Sequence, residues 1–416
     1  MKGLYHGWYV LAVAALAGVL TAGSSQMFLG SILPFLTAET GWSGSAITGA
    51  VFTGTLLGGL FAPLAGVLND RHGPRLLLPG AGIVLALGYL LIASADTLVV
   101  FYIGYALARL AAQGTLGGAV LRSIPVRWFH RYRGRTMGIV TMAVPLGAAL
   151  IAMIAQAVLA AGFNWRATLA GLSLATLVLM VVPGWLLLRK GPESLGLRPD
   201  GDLEPMEIDP TERINVADEP KWTVAEAYRT RTMWLLVLAT VLGIGANGAM
   251  IFYHVTYLVE VGLSPVMAVT CSSTLALCGA VANLGWGFLA ERYTERSLAI
   301  VSQCGAAVLV LAMLQVSGLW GALGLAVGLG VMIRGESSLI SLMVATYFGR
   351  YAYGRIIGLL TTFQLIGLGS GPLLAALLYD ATGSFSALYV ALSVIYVVTA
   401  LLFLCCAPPR HAAVAA

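Results

Sequence analysis

Long apolar runs alternate with short polar segments along the whole chain, and each run is long enough to form a membrane-crossing helix. A helix needs about 20 predominantly apolar residues to cross the hydrocarbon core of a bilayer. The runs therefore predict an all-α polytopic membrane protein that resides in a lipid bilayer. Its twelve predicted transmembrane helices lie at residues 8–36, 43–67, 75–95, 98–126, 135–160, 167–188, 232–260, 265–290, 297–316, 319–346, 356–379 and 385–407.

The composition points to the same class of protein. Hydrophobic residues make up 59% of the 416 residues and charged residues only 10%, which is too little charge to cover a water-soluble protein of this length. The five cysteines lie in apolar runs and show neither a metal-ligand spacing nor a disulfide framework. Because no catalytic or cofactor motif is present either, we expect a protein that is not an enzyme and that binds no metal and no cofactor.

The basic residues fall in the loops of one side of the predicted membrane protein. Loops on the cytoplasmic side are enriched in Lys and Arg, so both termini are expected to be cytoplasmic. The formal net charge of +5 follows from this asymmetry and does not indicate nucleic-acid binding. The opposite loops hold little beyond Arg166. The residues of the basic side are Arg71, Arg75, Arg127, Arg131, Arg133, Arg135, Arg189, Lys190, Arg292, Arg296, Arg350, Arg355 and Arg410.

The sequence repeats itself at offsets of 219 to 221 residues. The matching pairs of segments are residues 41–43 with 262–264, 66–75 with 287–296, and 129–135 with 348–355. We therefore predict two pseudo-symmetric six-helix halves, 1–190 and 232–416, joined by a polar cytoplasmic linker at 191–231. Parallel repeats of this kind place a substrate site near the bilayer midplane between the halves.

The second of the repeated segments carries a pattern of glycines and charges, and its first copy lies between predicted helices 2 and 3. The residues of the pattern are Gly66, Asp70, Arg71, Gly73 and Arg75, and the second copy retains Glu291 and Arg292. The pattern resembles the loop signature of the major facilitator superfamily. This resemblance implies the major facilitator fold and a gating role, in which the charged loop controls movement of the halves without touching substrate.

Shorter motifs are spread over nearly the whole chain. They are His6-Gly7-Trp8, Gly41-Trp42-Ser43, Trp128-Phe129, Trp165-Arg166, Pro192-Glu193, Leu195-Gly196-Leu197, Gly371-Pro372 and Tyr379-Asp380. These motifs resemble bacterial members of the monocarboxylate and oxalate–formate transporter branch. The resemblance implies a secondary transporter for organic acids, often proton-linked, in the bacterial cytoplasmic (inner) membrane.

Two substrate-binding cations of that branch are replaced here by amides. Where the branch commonly has an arginine in helix 8, this chain has Asn283, and where the oxalate–formate members have a lysine in helix 11, it has Gln364. The replacements argue against dicarboxylate exchange. Both amides remain candidate substrate ligands.

Three charged residues fall deep inside predicted helices, namely Arg109, Arg334 and Glu336. A charge near the bilayer centre costs at least about 2.5–3.5 kcal/mol, so each of them calls for a function or a partner. Residues two apart on a helix do not share a face. Arg334 lies on a small, polar face and is a candidate for binding substrate, although pairing with Glu336 or with a backbone carbonyl is an alternative. Glu336 is a candidate proton carrier or a structural partner.

Other polar residues of the predicted helices complete the candidate site. Arg109 with Gln113 resembles a short motif of proton-coupled superfamily members, with a spacing one residue longer. Histidine titrates near neutral pH, so His254 is a candidate proton relay as well as a substrate ligand. Packing within the bundle is the alternative for His254 and Tyr257. The remaining candidate substrate ligands are Gln26 and Asn247.

The intramembrane charges, two cations and one acid, leave a net charge of +1 and favour a small organic anion. The leading hypothesis is therefore a monomeric, rocker-switch transporter that moves a small organic carboxylate together with protons. The alternative is a proton-driven exporter of an amphipathic or aromatic compound, supported by Arg109 with Gln113 and by the missing helix 8 arginine. A receptor or scaffold without transport has no use for Arg334 and Glu336 inside the membrane.

Overall fold

The structure is a computed structural model that describes residues 5–201 and 222–409. Its described residues form helices and connecting segments and contain no strand. The helices of the first part of the chain are α1 His6–Thr21, α2 Gln26–Thr40, α3 Gly44–His72, α4 Pro74–Ala93, α5 Leu98–Arg109, α6 Leu121–Trp128, α7 Arg133–Ala160, α8 Trp165–Thr176 and α9 Val182–Leu187. The later helices are α10 Val224–Arg229, α11 Arg231–Glu260, α12 Pro265–Leu289, α13 Glu295–Ala312, α14 Gly318–Phe348, α15 Tyr353–Thr382 and α16 Phe385–Cys405.

Twelve helical stretches of the described chain are long and apolar enough to cross a membrane, from His6–Ser24 to Phe385–Cys405. Large apolar side chains remain exposed on these stretches, among them Leu60 at 66%, Leu186 at 66% and Val281 at 66%. Such a surface is stable only against lipid or another apolar surface. The predicted all-α membrane protein with twelve transmembrane helices is confirmed.

The first predicted helix, 8–36, is not continuous. Helix α1 ends at Thr21, a short 3-10 turn covers Ala22–Ser24, and Ser25 is extended with ψ 155°. The Ser25 hydroxyl accepts a hydrogen bond of 3.2 Å from the backbone N–H of Phe28 and so caps α2. Serine favours helix starts over helix interiors because its hydroxyl competes for backbone groups. The length and hydropathy of the apolar run did not indicate this break, since hydropathy does not report backbone capping.

Two stretches of wider, π-helical backbone interrupt the transmembrane helices. Leu110–Val120 separates α5 from α6, and Leu177–Val181 separates α8 from α9. A π turn accommodates one residue more than an α turn and is frequent at functional sites. The first stretch begins directly after Arg109, so the helix that carries this arginine changes its geometry there.

Backbone contacts divide the chain into two compact units. Unit 1 comprises Met1–Thr136, Val140–Lys221 and Arg350–Thr361, and unit 2 comprises Met137–Ile139, Trp222–Gly349 and Thr362–Ala416. Each unit has its own core. In unit 2, Met250, Leu329 and Tyr389 are fully buried within one apolar cluster.

The first repeated loop has the same local geometry in both copies. Gly41 has φ 70° and Gly262 has φ 102°, the left-handed region that glycine adopts without steric cost. Two residues later, the hydroxyls of Ser43 and Ser264 accept hydrogen bonds from backbone N–H groups and cap the next helix. The Gly-x-Ser repeat therefore encodes one turn: a helix stop followed by a helix start.

The start of the predicted linker folds back onto unit 1. Pro192–Leu195 forms a 3-10 turn, and the Glu193 carboxylate lies 2.7 Å from the Arg350 guanidinium. The Asp200 carboxylate accepts hydrogen bonds of 2.9 and 2.7 Å from the backbone N–H groups of His130 and Arg131. The rest of the predicted linker up to residue 221 lies outside the described residues.

Candidate functional site

The Asp70 carboxylate of the loop signature is buried, with 5% of the side chain exposed. Its two oxygens accept hydrogen bonds of 3.0 Å from the backbone N–H of Gly354 and 2.9 Å from that of Arg355. The Arg127 guanidinium lies 3.3 Å from the same carboxylate. Because Gly354 and Arg355 are in the first turn of α15, Asp70 places a negative charge at the positive end of that helix.

The glycines of the signature permit close contacts around Asp70. A Cβ at Gly66 would overlap the carbonyl oxygen of Gly354, so α3 and α15 approach each other backbone to backbone here. Gly73 has φ 74° and packs against Lys190. Arg71 and Arg75 are exposed.

The second copy of the signature differs from the first in structure. Asp70 lies inside the last turns of α3, whereas α12 ends at Leu289, before Glu291 and Arg292. Arg292 is exposed and Glu291 is partly buried. The closely packed environment of Asp70 therefore belongs to the first copy.

A solvent-facing pocket of about 320 Å³ lies beside Asp70 in unit 1. The Arg127–Asp70 and Arg350–Glu193 ion pairs form part of its wall. Its lining residues are Asp70, Arg127, Lys190, Gly191, Glu193, Ser194, Arg350 and Tyr351. Glu193 and Arg350 were not singled out from the sequence as site residues, because their pairing depends on how the linker folds.

Arg109 is 5% exposed within unit 1. Its Nη2 donates a hydrogen bond of 2.8 Å to the Thr55 hydroxyl, and its guanidinium carbon lies 5.9 Å from the centre of the Tyr105 ring. Gly54 makes room for the arginine stem. The Nε of Arg109 has no hydrogen-bond partner among the described residues, which leaves one donor available for a ligand.

Gln113 follows Arg109 inside the π-helical stretch Leu110–Val120. Its Oε1 is buried and has no hydrogen-bond partner in the described part of the chain. The spacing from Arg109 to Gly114, one residue longer than in the motif that this segment resembles, coincides with the start of the wide π-helical backbone.

Arg334 lies in α14, and its side chain packs against Gly279 of α12. Its Nε is buried and has no hydrogen-bond partner, and the described residues form no ion pair with its guanidinium. The alternative of an Arg334–Glu336 pair is therefore not seen. Asn283 lies on the same α12–α14 contact, where its amide bonds to the Gly279 carbonyl at 3.3 Å and accepts from the Ser338 hydroxyl at 3.1 Å.

Glu336 points to other helices than Arg334 does. It is 1% exposed and accepts a hydrogen bond of 2.8 Å from Nδ2 of Asn247 in α11. Asn247 in turn accepts a hydrogen bond of 2.9 Å from the hydroxyl of Tyr396 in α16. The sequence reasoning found Glu336 and Asn247 but missed Tyr396. The available signal for Tyr396 was its hydroxyl group, a polar atom within the last apolar run of the sequence.

His254 and Tyr257 lie deep in unit 2, at 1% and 6% exposure. Nδ1 of His254 bonds to the Ser272 hydroxyl at 2.7 Å, and its Nε2 has no partner among the described residues. The Tyr257 hydroxyl donates to the Met313 carbonyl at 2.8 Å, and its ring packs 4.3 Å from that of Tyr389. The Tyr257 hydroxyl is thus already engaged by backbone.

Gln364 is 6% exposed, and its Nε2 is buried without a partner in the described part of the chain. The side chain of Gln26 lies outside the described side chains. The structure therefore places Arg109 and Gln113 near each other in unit 1, Arg334 and Asn283 at the α12–α14 contact of unit 2, and Glu336 against Asn247 of α11. His254, Tyr257 and Gln364 lie elsewhere in unit 2. No cluster of three or more His, Cys, Asp or Glu in the described chain could hold a metal ion.

Comparison with known proteins identifies relatives over most of the chain. The 3-(3-hydroxy-phenyl)propionate transporter of Escherichia coli is 25% identical over 362 residues, which cover 86% of this chain and 81% of the relative. The glucose transporter GlcP of Staphylococcus epidermidis is 24% identical over 334 residues, which cover 74% of this chain and 72% of the relative. A crystal structure of the transporter FucP superposes with a TM-score of 0.73 at 15% identity, covering 97% of this chain and all of FucP.

The family model of the Major Facilitator Superfamily matches residues 14–277 and 260–415, which together span nearly the whole chain. The superposition with FucP supports the same fold. The predicted superfamily resemblance is confirmed, whereas the monocarboxylate branch within it stays a prediction. Membership also agrees with twelve membrane-crossing helices and excludes an enzyme. This chain therefore belongs to the Major Facilitator Superfamily and is an integral membrane transporter.

Proposed function

We propose that this transporter is a symporter that moves a small organic carboxylate together with protons by rocker-switch alternating access. The Escherichia coli relative, whose name gives a substituted propionate as its substrate, supports a carboxylate. The Lys and Arg asymmetry and the bacterial relatives support a bacterial inner membrane with both termini in the cytoplasm.

The observation that carries the proposal is that the Arg334 guanidinium forms no ion pair with any described residue. A guanidinium inside a membrane is costly unless an anion or several acceptors neutralise it. The described residues supply none within ion-pair distance. A substrate carboxylate meets this need because its two oxygens match the planar donors of arginine. Arg109 is the second cation, and its bond to Thr55 makes it the less available of the two.

Proton coupling is assigned to Glu336, the only acid of the described chain that lies deep inside a transmembrane helix. Its carboxyl is buried among neutral side chains of α11 and α16. Taking up a proton removes a buried charge, and releasing it restores that charge. Such a group can link a conformational change to the pH on either side of the membrane.

A second candidate substrate is a neutral sugar, because GlcP is named a glucose transporter. The buried amides Asn283 and Gln364 favour this candidate, since each can bind hydroxyl groups and Nε2 of Gln364 has no partner among the described residues. The exporter alternative predicts instead that expression of the protein confers resistance to amphipathic compounds.

Thermal unfolding of the purified protein separates these candidates, because a ligand that binds only the folded state raises its melting temperature. The probes are 3-phenylpropionate, its amide and D-glucose. We expect that only the acid stabilises the wild-type protein. This stabilisation should be lost in Arg334→Gln and kept in Arg229→Gln. Arg229 is an exposed arginine outside the transmembrane helices. Equal stabilisation by the acid and its amide contradicts carboxylate recognition, and stabilisation by glucose alone favours the sugar.

A further inference from the structure

Three side chains from three helices form a continuous chain of hydrogen bonds in unit 2. The side-chain amide of Asn247 in α11 donates one hydrogen bond of 2.8 Å to the Glu336 carboxylate and another of 3.2 Å to the Ile333 carbonyl. Its carbonyl oxygen accepts from the Tyr396 hydroxyl at 2.9 Å. All three bonds require the amide in one orientation, since reversal would place oxygen against oxygen at Glu336 and Ile333.

The two ends of this hydrogen-bond chain are buried, and Asn247 between them is half-buried. Glu336 is 1% exposed and Tyr396 is 0% exposed. Gly243 of α11 packs against the carboxyl so closely that a Cβ there would overlap Oε1 of Glu336. The same Oε1 has no hydrogen-bond partner among the described residues. Asn247 therefore donates directly to the other oxygen of the carboxylate, at 2.8 Å.

The other groups that face Glu336 are few. Gln303 of α13 lies beside the carboxyl, and Tyr396 of α16 is the ionisable side chain that faces it within the described chain. From α12, Trp286 packs on Gly335 and donates to the Val331 carbonyl at 2.7 Å. Arg334 packs on Gly279 of the same helix. The charge on Glu336 thus depends on neutral hydrogen-bond donors.

We propose that Asn247 is a positioning residue for Glu336 and not a substrate ligand, and that Tyr396 holds Asn247 in the orientation that this requires. The inference rests on the proposed function, in which Glu336 carries the coupled proton. A donor to a carboxylate favours its charged form, so Asn247 sets the pH at which Glu336 exchanges its proton. Tyr396 acts one bond further away and has a smaller effect.

Infrared spectroscopy tests this without knowledge of the substrate. The carbonyl stretch of a protonated carboxyl is followed against pH in purified protein, and the band of Glu336 is identified by its absence in Glu336→Gln. The band should lose intensity with a midpoint about one pH unit higher in Asn247→Ala than in wild type, the shift expected from one charge-assisted hydrogen bond. Tyr396→Phe should move the midpoint in the same direction by a smaller amount.

Tyr389→Phe is the matched control. Tyr389 lies on α16 two turns before Tyr396, is 0% exposed, and its hydroxyl has no partner among the described residues. Removing that hydroxyl leaves the hydrogen-bond chain intact, so the midpoint should stay at the wild-type value. If Asn247→Ala does not fold, the difference in midpoint between Tyr396→Phe and Tyr389→Phe tests the inference by itself.

The outcomes distinguish the inference from the proposed function. An unchanged midpoint in Tyr396→Phe and Asn247→Ala, or a Glu336 band that does not titrate at all, overturns the inference. Uptake driven by a pH gradient in proteoliposomes tests the proposed function separately. If Glu336→Gln still accumulates substrate against a gradient, Glu336 is not the coupling residue, whatever the infrared midpoints are.

Discussion

The carboxylate of Asp70 accepts a hydrogen bond of 2.9 Å from the backbone N–H of Arg355, which lies 285 residues further along the chain. A second bond of 3.0 Å reaches Gly354 in the same turn. One acidic side chain therefore links the end of α3 to the start of α15, and its negative charge strengthens both hydrogen bonds.

We predict that Asp70→Asn slows transport by about tenfold and leaves substrate affinity within about twofold. The amide loses the charge and turns one acceptor into a donor that faces a backbone N–H, and charge-assisted hydrogen bonds contribute roughly 1.5–3 kcal/mol each. Initial uptake rates and equilibrium binding measure the two effects. Glu260→Gln, at an exposed acid, is the control. A loss of affinity above about tenfold would refute the gating role.

We predict that Gly66→Ala destabilises the protein by about 1–3 kcal/mol, the range expected for overpacking. The added methyl group would overlap the Gly354 carbonyl oxygen, and neither backbone can turn away as a side chain can. Thermal unfolding in detergent measures the change. Gly80→Ala is the matched control, because a Cβ at Gly80 meets nothing within 4 Å. Equal stability of the two variants would contradict the close approach of α3 and α15.

A second ionic cluster joins three chain segments on the side opposite the basic loops. The Arg166 guanidinium lies 2.9 Å from Glu39, 3.3 Å from Asp96, and donates to the Ala93 carbonyl at 2.8 Å. The Trp165 ring N–H donates to Glu39 at 2.6 Å. The hydrogen bond from Arg166, followed by that from Trp165, holds the pKa of Glu39 below its usual 4.5 against the opposing effect of partial burial.

We predict that this cluster contributes stability at neutral pH and loses it in acid. A carboxyl whose pKa is lowered by folding stabilises the folded state above its unfolded pKa of 4.5, and that contribution disappears as the pH falls through the lowered value. Arg166→Gln should therefore lower the melting temperature at pH 7 and have a smaller effect near pH 3. The change at pH 7 should be about 1 kcal/mol or less, since the pair is partly exposed. Asp96→Asn, at a carboxylate that is 88% exposed, should change little.

We predict that Arg334→Lys does not restore carboxylate binding. Lysine keeps the charge but offers a point charge in place of a planar, bidentate fork. The affinity for 3-phenylpropionate should fall about tenfold, which corresponds to about 1.4 kcal/mol. Direct binding to the purified protein measures it, with Arg229→Lys as the control. An affinity for the acid equal to that of wild type would mean that only charge, and no bidentate contact, is recognised.

The sequence alone determined the features that depend on neighbouring residues. Run length and hydropathy predicted twelve membrane-crossing helices, because each helix satisfies its own backbone hydrogen bonds inside lipid. The repeat of Gly41 and Ser43 at Gly262 and Ser264 predicted equivalent loops, since a left-handed glycine and a serine cap are local chemistry. Residue spacing also predicted that Arg334 and Glu336 face different ways.

Only the tertiary structure decided which partners these residues meet. Helical spacing gives the direction of a side chain relative to its own helix and says nothing about which helix packs there. The contact of Asp70 with α15 and the bond of Glu336 to Asn247 both depend on such packing. Tyr396 looked apolar in the sequence because its ring suits a membrane helix. Its role appeared only once folding had brought its hydroxyl to Asn247, 149 residues away in the chain.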